Sequence, residues 1–413
     1  MGTVGTSLSL TLILLPGIAF GAELAGGVTG RPEFLRAIAD APVLGAASRR
    51  TDAARERLGS AGRLADVEVE GMASRMVGPM NERSTMWEMN VMQPLPRRGE
   101  RSADRDRARA DVSMAEAEHA MLAGELAADV ATAIAEAGGA EAQAKLLEAQ
   151  IERLNAVLRS VEARIATGAG RLSDRLTVQA RLASMRFMIE EERRDAADAL
   201  SEARGRLGYA PDARLPGFAA PIPSEINAED AAAVRLASAR GVQAHARVRM
   251  ALASGNPMTA VGVRFEQERR SMGSENTLGL AFSTDLPFRN RSYARAESRA
   301  AEAERAAAQT DATAVRFRVE AALGRVERAE HLAGIARRLS QETVGRLEAE
   351  YESMLRAAAT GSGQSSTVLE VVELLEKTTE AEIQIIRADT AVRTARAELW
   401  RYYSATEFIN RQP

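Results

Sequence analysis

The chain has 413 residues and a formal net charge of −3, with aromatic residues at 4%, charged residues at 27%, and long stretches of Ala, Arg, Glu and Leu. This is the make-up of long packed helices, and so balanced a charge supplies no basic field for nucleic acid. Cysteine is absent, which excludes disulfides, thiolate metal sites and an acylated cysteine anchor.

The first element is an uncharged apolar run, Leu8 to Phe20, that leads into Ala19-Phe20-Gly21, a small-x-small site before Ala22. It is too short to span a bilayer and reads as a secretory signal over 1–21, although no Lys or Arg precedes it. No later stretch offers the roughly 18 apolar residues of a membrane helix. An exported chain of this kind enters a membrane only as a β-barrel.

A first repeat is expected over 22–210. It opens with a helical stretch at about 32–61 and two strands at about 66–76 and 84–93, in which apolar and polar residues alternate. Val67, Val69 and Ala73 oppose Glu68, Glu70 and Met72; Trp87, Met89 and Val91 oppose Glu88, Asn90 and Met92. Period-two alternation is the strand signal, and segments of about ten residues fit a tilted membrane strand. A half-buried soluble sheet alternates in the same way; the export signal favours the barrel. Gln93-Pro94-Leu95-Pro96 then leads into a helical hairpin at about 98–208, where Leu147, Ile151, Leu154, Leu158, Val161 and Ile165 give a narrow apolar seam. Over 98–166 such a helix approaches 100 Å, a coiled-coil dimension.

A Pro-rich linker at 211–225 separates this unit from a second one at 226–405 with the same order of elements: a helix at about 227–254, strands at about 258–268 and 276–285, and a hairpin at about 290–405. A short tail, 406–413, follows. In the second strand pair Val261, Val263 and Phe265 oppose Gly262, Arg264 and Glu266, while Leu278, Leu280 and Phe282 oppose Gly279, Ala281 and Ser283. The landmarks recur at near-constant offset: Gln93–Arg98 returns as Thr284–Arg289, 191 positions later, and Ala166–Gly170 returns as Ala359–Gly363, 193 positions later. Such self-similarity marks a duplicated architecture. Four strands cannot close a barrel, so several copies must share one.

Sites for chemistry are lacking in the pattern. His119, His245 and His331 have no i, i+4 partner, and no HExxH, GxSxG, Walker or strand-borne GxGxxG motif occurs. Neither a catalytic zinc site nor a hydrolase, ATPase or dehydrogenase is indicated, and no cofactor. Six of the fifteen Met residues lie between Met72 and Met92. Met72, Met76, Met86 and Met92 invite a soft-metal thioether site, but the six fall on both faces of the strands, and Met commonly fills apolar surface. The Arg-rich run Arg101 to Arg109 interleaves Asp104, Asp106 and Asp111, a wet helix face.

The duplicated order, with Gln93-Pro94-Leu95-Pro96, Asp285-Leu286-Pro287-Phe288-Arg289-Asn290-Arg291 and the two Thr-Gly turns, resembles the TolC family of outer-membrane efflux proteins, and more loosely its heavy-metal branch. The resemblance implies a mostly α fold with a small β part: a homotrimer whose protomers each give four strands to a 12-stranded outer-membrane barrel, continued by a coiled-coil periplasmic barrel. It implies contact with outer-membrane lipid, a periplasmic adaptor and an inner-membrane RND pump, and passive conduction of metal cations or drugs. By the same resemblance Glu370 and Glu373 take the acidic positions of the entrance gate, and six such carboxylates round a threefold axis concentrate cations. Thr367 and Glu370 also fit a helix-start capping box. The hairpin tips, Thr167, Gly168, Gly170, Leu172, Ser173 and Asp174 with Thr360, Gly361, Gly363, Ser365 and Ser366, become the adaptor-docking surface, while Ser173 or Asp174 also suits a helix cap. A periplasmic coiled-coil adaptor or scaffold protein without a membrane barrel is the other reading; the adaptor would show one hairpin between β-rich domains.

Overall fold

A computed structural model describes residues 30–77, 83–168, 170–217, 220–270, 273–285, 290–360 and 368–404. The signal at 1–21, the tail at 406–413, and Leu286–Arg289 of the second Leu-Pro landmark lie outside them. In chain order the elements are α1 (Arg31–Ala39), α2 (Pro42–Ser60), β1 (Glu68–Val77), β2 (Arg83–Leu95), α3 (Glu100–Ala166), α4 (Leu172–Leu207), α5 (Ala232–Ser254), β3 (Met258–Arg270), β4 (Gly273–Asp285), α6 (Asn290–Thr360) and α7 (Val368–Ala397). The fold is mostly helical with one small sheet.

The first helical stretch is two helices. Pro42 has no N–H to continue a ladder, so α1 stops at Ala39 and α2 restarts with Pro42 in its first turn. The long helix α3 starts where the chain leaves the sheet. Gly99 takes the left-handed conformation there (φ 83°), and the Glu100 carboxylate accepts the Arg97 N–H at 2.6 Å. At about 1.5 Å per residue, α3 and α6 are each on the order of 100 Å long. Among the described residues no helix is long and apolar enough to cross a membrane.

The sheet is antiparallel throughout, in the order β1-β2-β3-β4. The central β2–β3 pairing, with Val91 opposite Val263, joins the first strand pair to the second. The helix-proximal ends of β2, β3 and β4 lie together, since Leu95 pairs with Thr259 and Met258 with Asp285, while Glu68 at the start of β1 pairs with Met92.

The helices share a segmented core. In the middle, small residues of α3 (Ala120, Ala127, Ala131) meet Phe34 and Ile38 of α1, Leu207 of α4 and the fully buried Trp400, which follows α7 in a 3-10 turn (Glu398–Tyr402). The Trp400 ring lies tilted at 5.4 Å from Phe34 and edge-on at 4.8 Å from Tyr403. Arg31 lies over both rings and grips the linker, bonding Glu225 at 2.8 and 2.9 Å and the Ala220 carbonyl at 3.1 Å. Toward the hairpin tips the seam turns aliphatic: Leu147 with Ile189 and Ile386, then Leu154, Val157 and Val161 with Val178, Leu182, Met185, Val371, Val372 and Leu375.

Candidate functional site

The sheet puts a water-averse surface on the outside of the subunit. Its register aligns Met89, Phe265 and Leu278 in one row, Val91, Val263 and Leu280 (with Val69) in the next, and Val261 with Phe282 in a third. Most of these side chains face outward, with Leu278 75% exposed, Leu280 93% and, one row further, Trp87 60%. An apolar patch continuous across four strands marks a surface meant for lipid or another chain. The opposite face carries Glu68, Glu70, Glu88, Glu266, Glu268 and Glu275, and Arg264 bridges Glu88 at 3.0 Å and Glu266 at 3.5 Å. Met72, Met76, Met86 and Met92 sit on this polar face by register, while Met89 sits on the apolar one. The edges β1 and β4 each pair on one side only.

At the far end α3 closes on its own backbone. The Gly170 N–H donates to the Arg164 carbonyl at 2.9 Å, Gly168 has φ 75°, and the Thr167 hydroxyl donates to the Arg164 carbonyl at 3.0 Å. These bonds satisfy carbonyls that a helix end leaves orphaned. Only glycine enters that left-handed turn without strain. The return helix starts at Leu172 with Arg171 as its N-cap and no side-chain capping bond. Ser173 and Asp174 therefore do not cap it, contrary to the sequence expectation; they lie inside its first turn, where the negative Asp174 suits the helix dipole. Leu172 is 63% exposed at the tip and Ser173 is exposed too. The second tip falls largely outside the described residues: Gly361, Gly363, Ser365, Ser366 and Thr367 are not among them, and Thr360 is only the last residue of α6.

The helix α7 starts at Val368, which makes Glu370 its third residue. Its buried face is Val371, Val372, Leu375, Thr378 and Thr379; Glu370 and Glu373 are exposed on the other side. Glu376, a turn from Val372, is drawn to Arg181 of α4 at 2.9 Å. Deeper, a polar cluster interrupts the aliphatic seam. Gln150 of α3 bonds Glu382 of α7 at 2.9 Å, and Arg153 reaches Glu348 of α6 at 3.3 Å. Burial pushes the Glu382 carboxyl above its ordinary range, against the pull of Arg153 and Gln150. Sequence inspection missed this cluster, since its members are separated by up to 232 positions.

His119 is buried on α3, and burial lowers its pKa, which keeps the imidazole neutral. His245 and His331 are exposed on α5 and α6. No group of three His, Asp or Glu among the described residues is placed to hold a metal.

Residues 35–208 match the sequence profile of the family described as outer membrane efflux protein. A search of curated proteins finds no relative by sequence. Solved structures are similar over most of the chain. The outer membrane protein VceC of Vibrio cholerae superposes with a TM-score of 0.73 at 15% identity, covering 90% of this chain and 96% of its own. A membrane protein from Pseudomonas aeruginosa gives 0.71 at 17% identity, with 90% of each chain covered. The open state of the Neisseria gonorrhoeae outer membrane channel MtrE gives 0.63 at 17% identity, covering 90% of this chain and 88% of its own. Residues 35–208 are thus similar to the outer membrane efflux protein family, and along 90% of its length the chain has the fold of these membrane proteins.

Proposed function

We propose that the chain is one subunit of an outer-membrane efflux channel that conducts its cargo passively, without catalysis or cofactor. One observation carries this reading: the sheet exposes an apolar face four strands wide beside two unpaired edges, at one end of helices on the order of 100 Å long. Three copies joined edge to edge give 12 strands, an even number that a barrel accepts, with the apolar face toward lipid and the acidic face toward the lumen. The helices then extend the bore into the periplasm. Glu370 and Glu373 line its entrance, and the hairpin tips dock a periplasmic adaptor that couples the duct to an RND pump. The chain partitions to the outer membrane of a Gram-negative bacterium, and its cargo is a metal cation or a drug.

The decisive experiment is outer-membrane fractionation followed by sizing in mild detergent. A heat-modifiable trimer with a water-filled bore is expected. A monomeric particle without conductance in planar bilayers would end the reading and return the adaptor or scaffold alternative.

A further inference from the structure

The two faces of the sheet treat arginine differently. On the acidic face Arg264 is held by Glu88 and Glu266, and Arg270 bonds Glu268 at 2.8 and 2.9 Å. On the apolar face lie Arg75 and Arg269, both exposed, and neither makes an ion pair or side-chain hydrogen bond among the described residues. Their positions coincide along the strands. Thr85 pairs with Arg75 on one side and with Arg269 on the other. Two strand spacings separate the arginines, about 10 Å between backbones, a gap that two long side chains can close.

The order of rows away from the helices is informative. It runs from Val91, Val263 and Leu280, through Met89, Phe265 and Leu278, to a mixed row of Trp87 with Gln267 and Asn276, and then to Arg75, Thr85 and Arg269 at the end remote from the helices. A ligand matching this sequence of chemistries has an apolar body and an anionic head. The guanidinium fork fits the paired oxygens of a phosphate better than a point charge does, and the Thr85 hydroxyl between the two forks adds a third donor.

We propose that Arg75 and Arg269, with Thr85 between them, bind the phosphate of a phosphorylated lipid in the outer leaflet, its acyl chains lying on Trp87, Phe265 and Leu278. The inference rests on the proposed barrel, which sets this rim of the apolar face at the outer surface of the membrane. The site would anchor the barrel at a fixed depth and select the lipids that surround it.

The test is native mass spectrometry of the full-length channel in detergent, titrated with lipid A, a bisphosphorylated glycolipid, and with its dephosphorylated form. The wild type should retain the phosphorylated lipid about tenfold or more in preference. Arg75→Gln with Arg269→Gln should abolish that preference, and Arg75→Lys with Arg269→Lys should keep part of it. Equal retention of the two lipids by the wild type, or an unchanged preference in the Gln pair, overturns the proposal. Full displacement of the lipid by millimolar inorganic phosphate does so as well, because the site would then take small anions. Should the Gln pair fail to assemble, the wild-type comparison of the two lipids still decides. A trimer that lacks lipid preference sinks this inference alone, whereas absence of any wild-type trimer sinks the channel reading.

Discussion

Gln150 donates its side-chain amide to the carboxylate of Glu382 at 2.9 Å across the seam between α3 and α7. Burial raises the pKa of Glu382, Arg153 opposes the shift and Glu348 adds to it. A raised carboxyl favours the folded state below its unfolded pKa, and that contribution is lost as pH rises through the folded value. The wild type should therefore lose stability from the ordinary carboxylate range upward, and Glu382→Gln should not. Near neutral pH the variant should be more stable by up to about 1 kcal/mol, with the gap closing in acid. Thermal unfolding in detergent at pH 4 and pH 7.5 reads it.

The Arg31–Glu225 contact has the opposite sign. The two-pronged bond from Arg31 holds the Glu225 carboxyl below its ordinary range. Its contribution is present above the unfolded pKa and fades as pH falls through the lowered value. Arg31→Gln should cost about 1–2 kcal/mol at pH 7, with release of the linker visible as faster proteolysis near Ala220. An equal loss at pH 3 and pH 7 would contradict the assignment.

Close approach of α3 and α7 depends on Gly139. A Cβ there would stand 2.8 Å from Cγ2 of Thr390. Gly139→Ala gains about 1 kcal/mol of helix propensity, but overpacking costs about 1–3 kcal/mol, so net destabilisation is expected. Adding Thr390→Ala should recover most of it, a non-additivity that a double-mutant cycle measures.

At the proposed entrance, Glu370→Gln with Glu373→Gln should lower the cation preference of single channels several-fold in planar bilayers. Lys377, one turn further along α7 and also exposed, works against the two carboxylates. Lys377→Gln should accordingly move the preference the other way. Unchanged selectivity in both variants removes the gate assignment.

At the first tip, a photocrosslinker replacing Ser173 should capture the periplasmic adaptor. The same probe at Phe187, exposed on α4 well above the tip, should capture far less. Equal yields would detach adaptor docking from the tips.

Much of the fold is written locally. The alternation of Val261, Val263 and Phe265 with their polar neighbours needs only the two-residue pleat to be seen, and the three-four spacing of Leu147 to Ile165 needs only the helix pitch. Other features depend on residues distant in sequence. The pairing of Val91 with Val263, the insertion of Trp400 against Phe34 and the Gln150–Glu382 bond arise only once the two halves meet. Pro42 did carry a local signal for the break between α1 and α2. For the tip, small residues announced a turn at Thr167–Gly170, but which residue occupies the N-cap was settled by backbone geometry, at Arg171 rather than Ser173.

The bare margins of β1 and β4 have a bearing on biogenesis. A lone copy crossing an aqueous compartment shows unsatisfied amides and carbonyls on both flanks of a greasy sheet, the arrangement that templates aggregation. In the proposed channel, export must outrun self-association, and each new subunit needs an escort until neighbouring copies seal its sides. Overproduction beyond the capacity of that escort should yield precipitate instead of surplus pores.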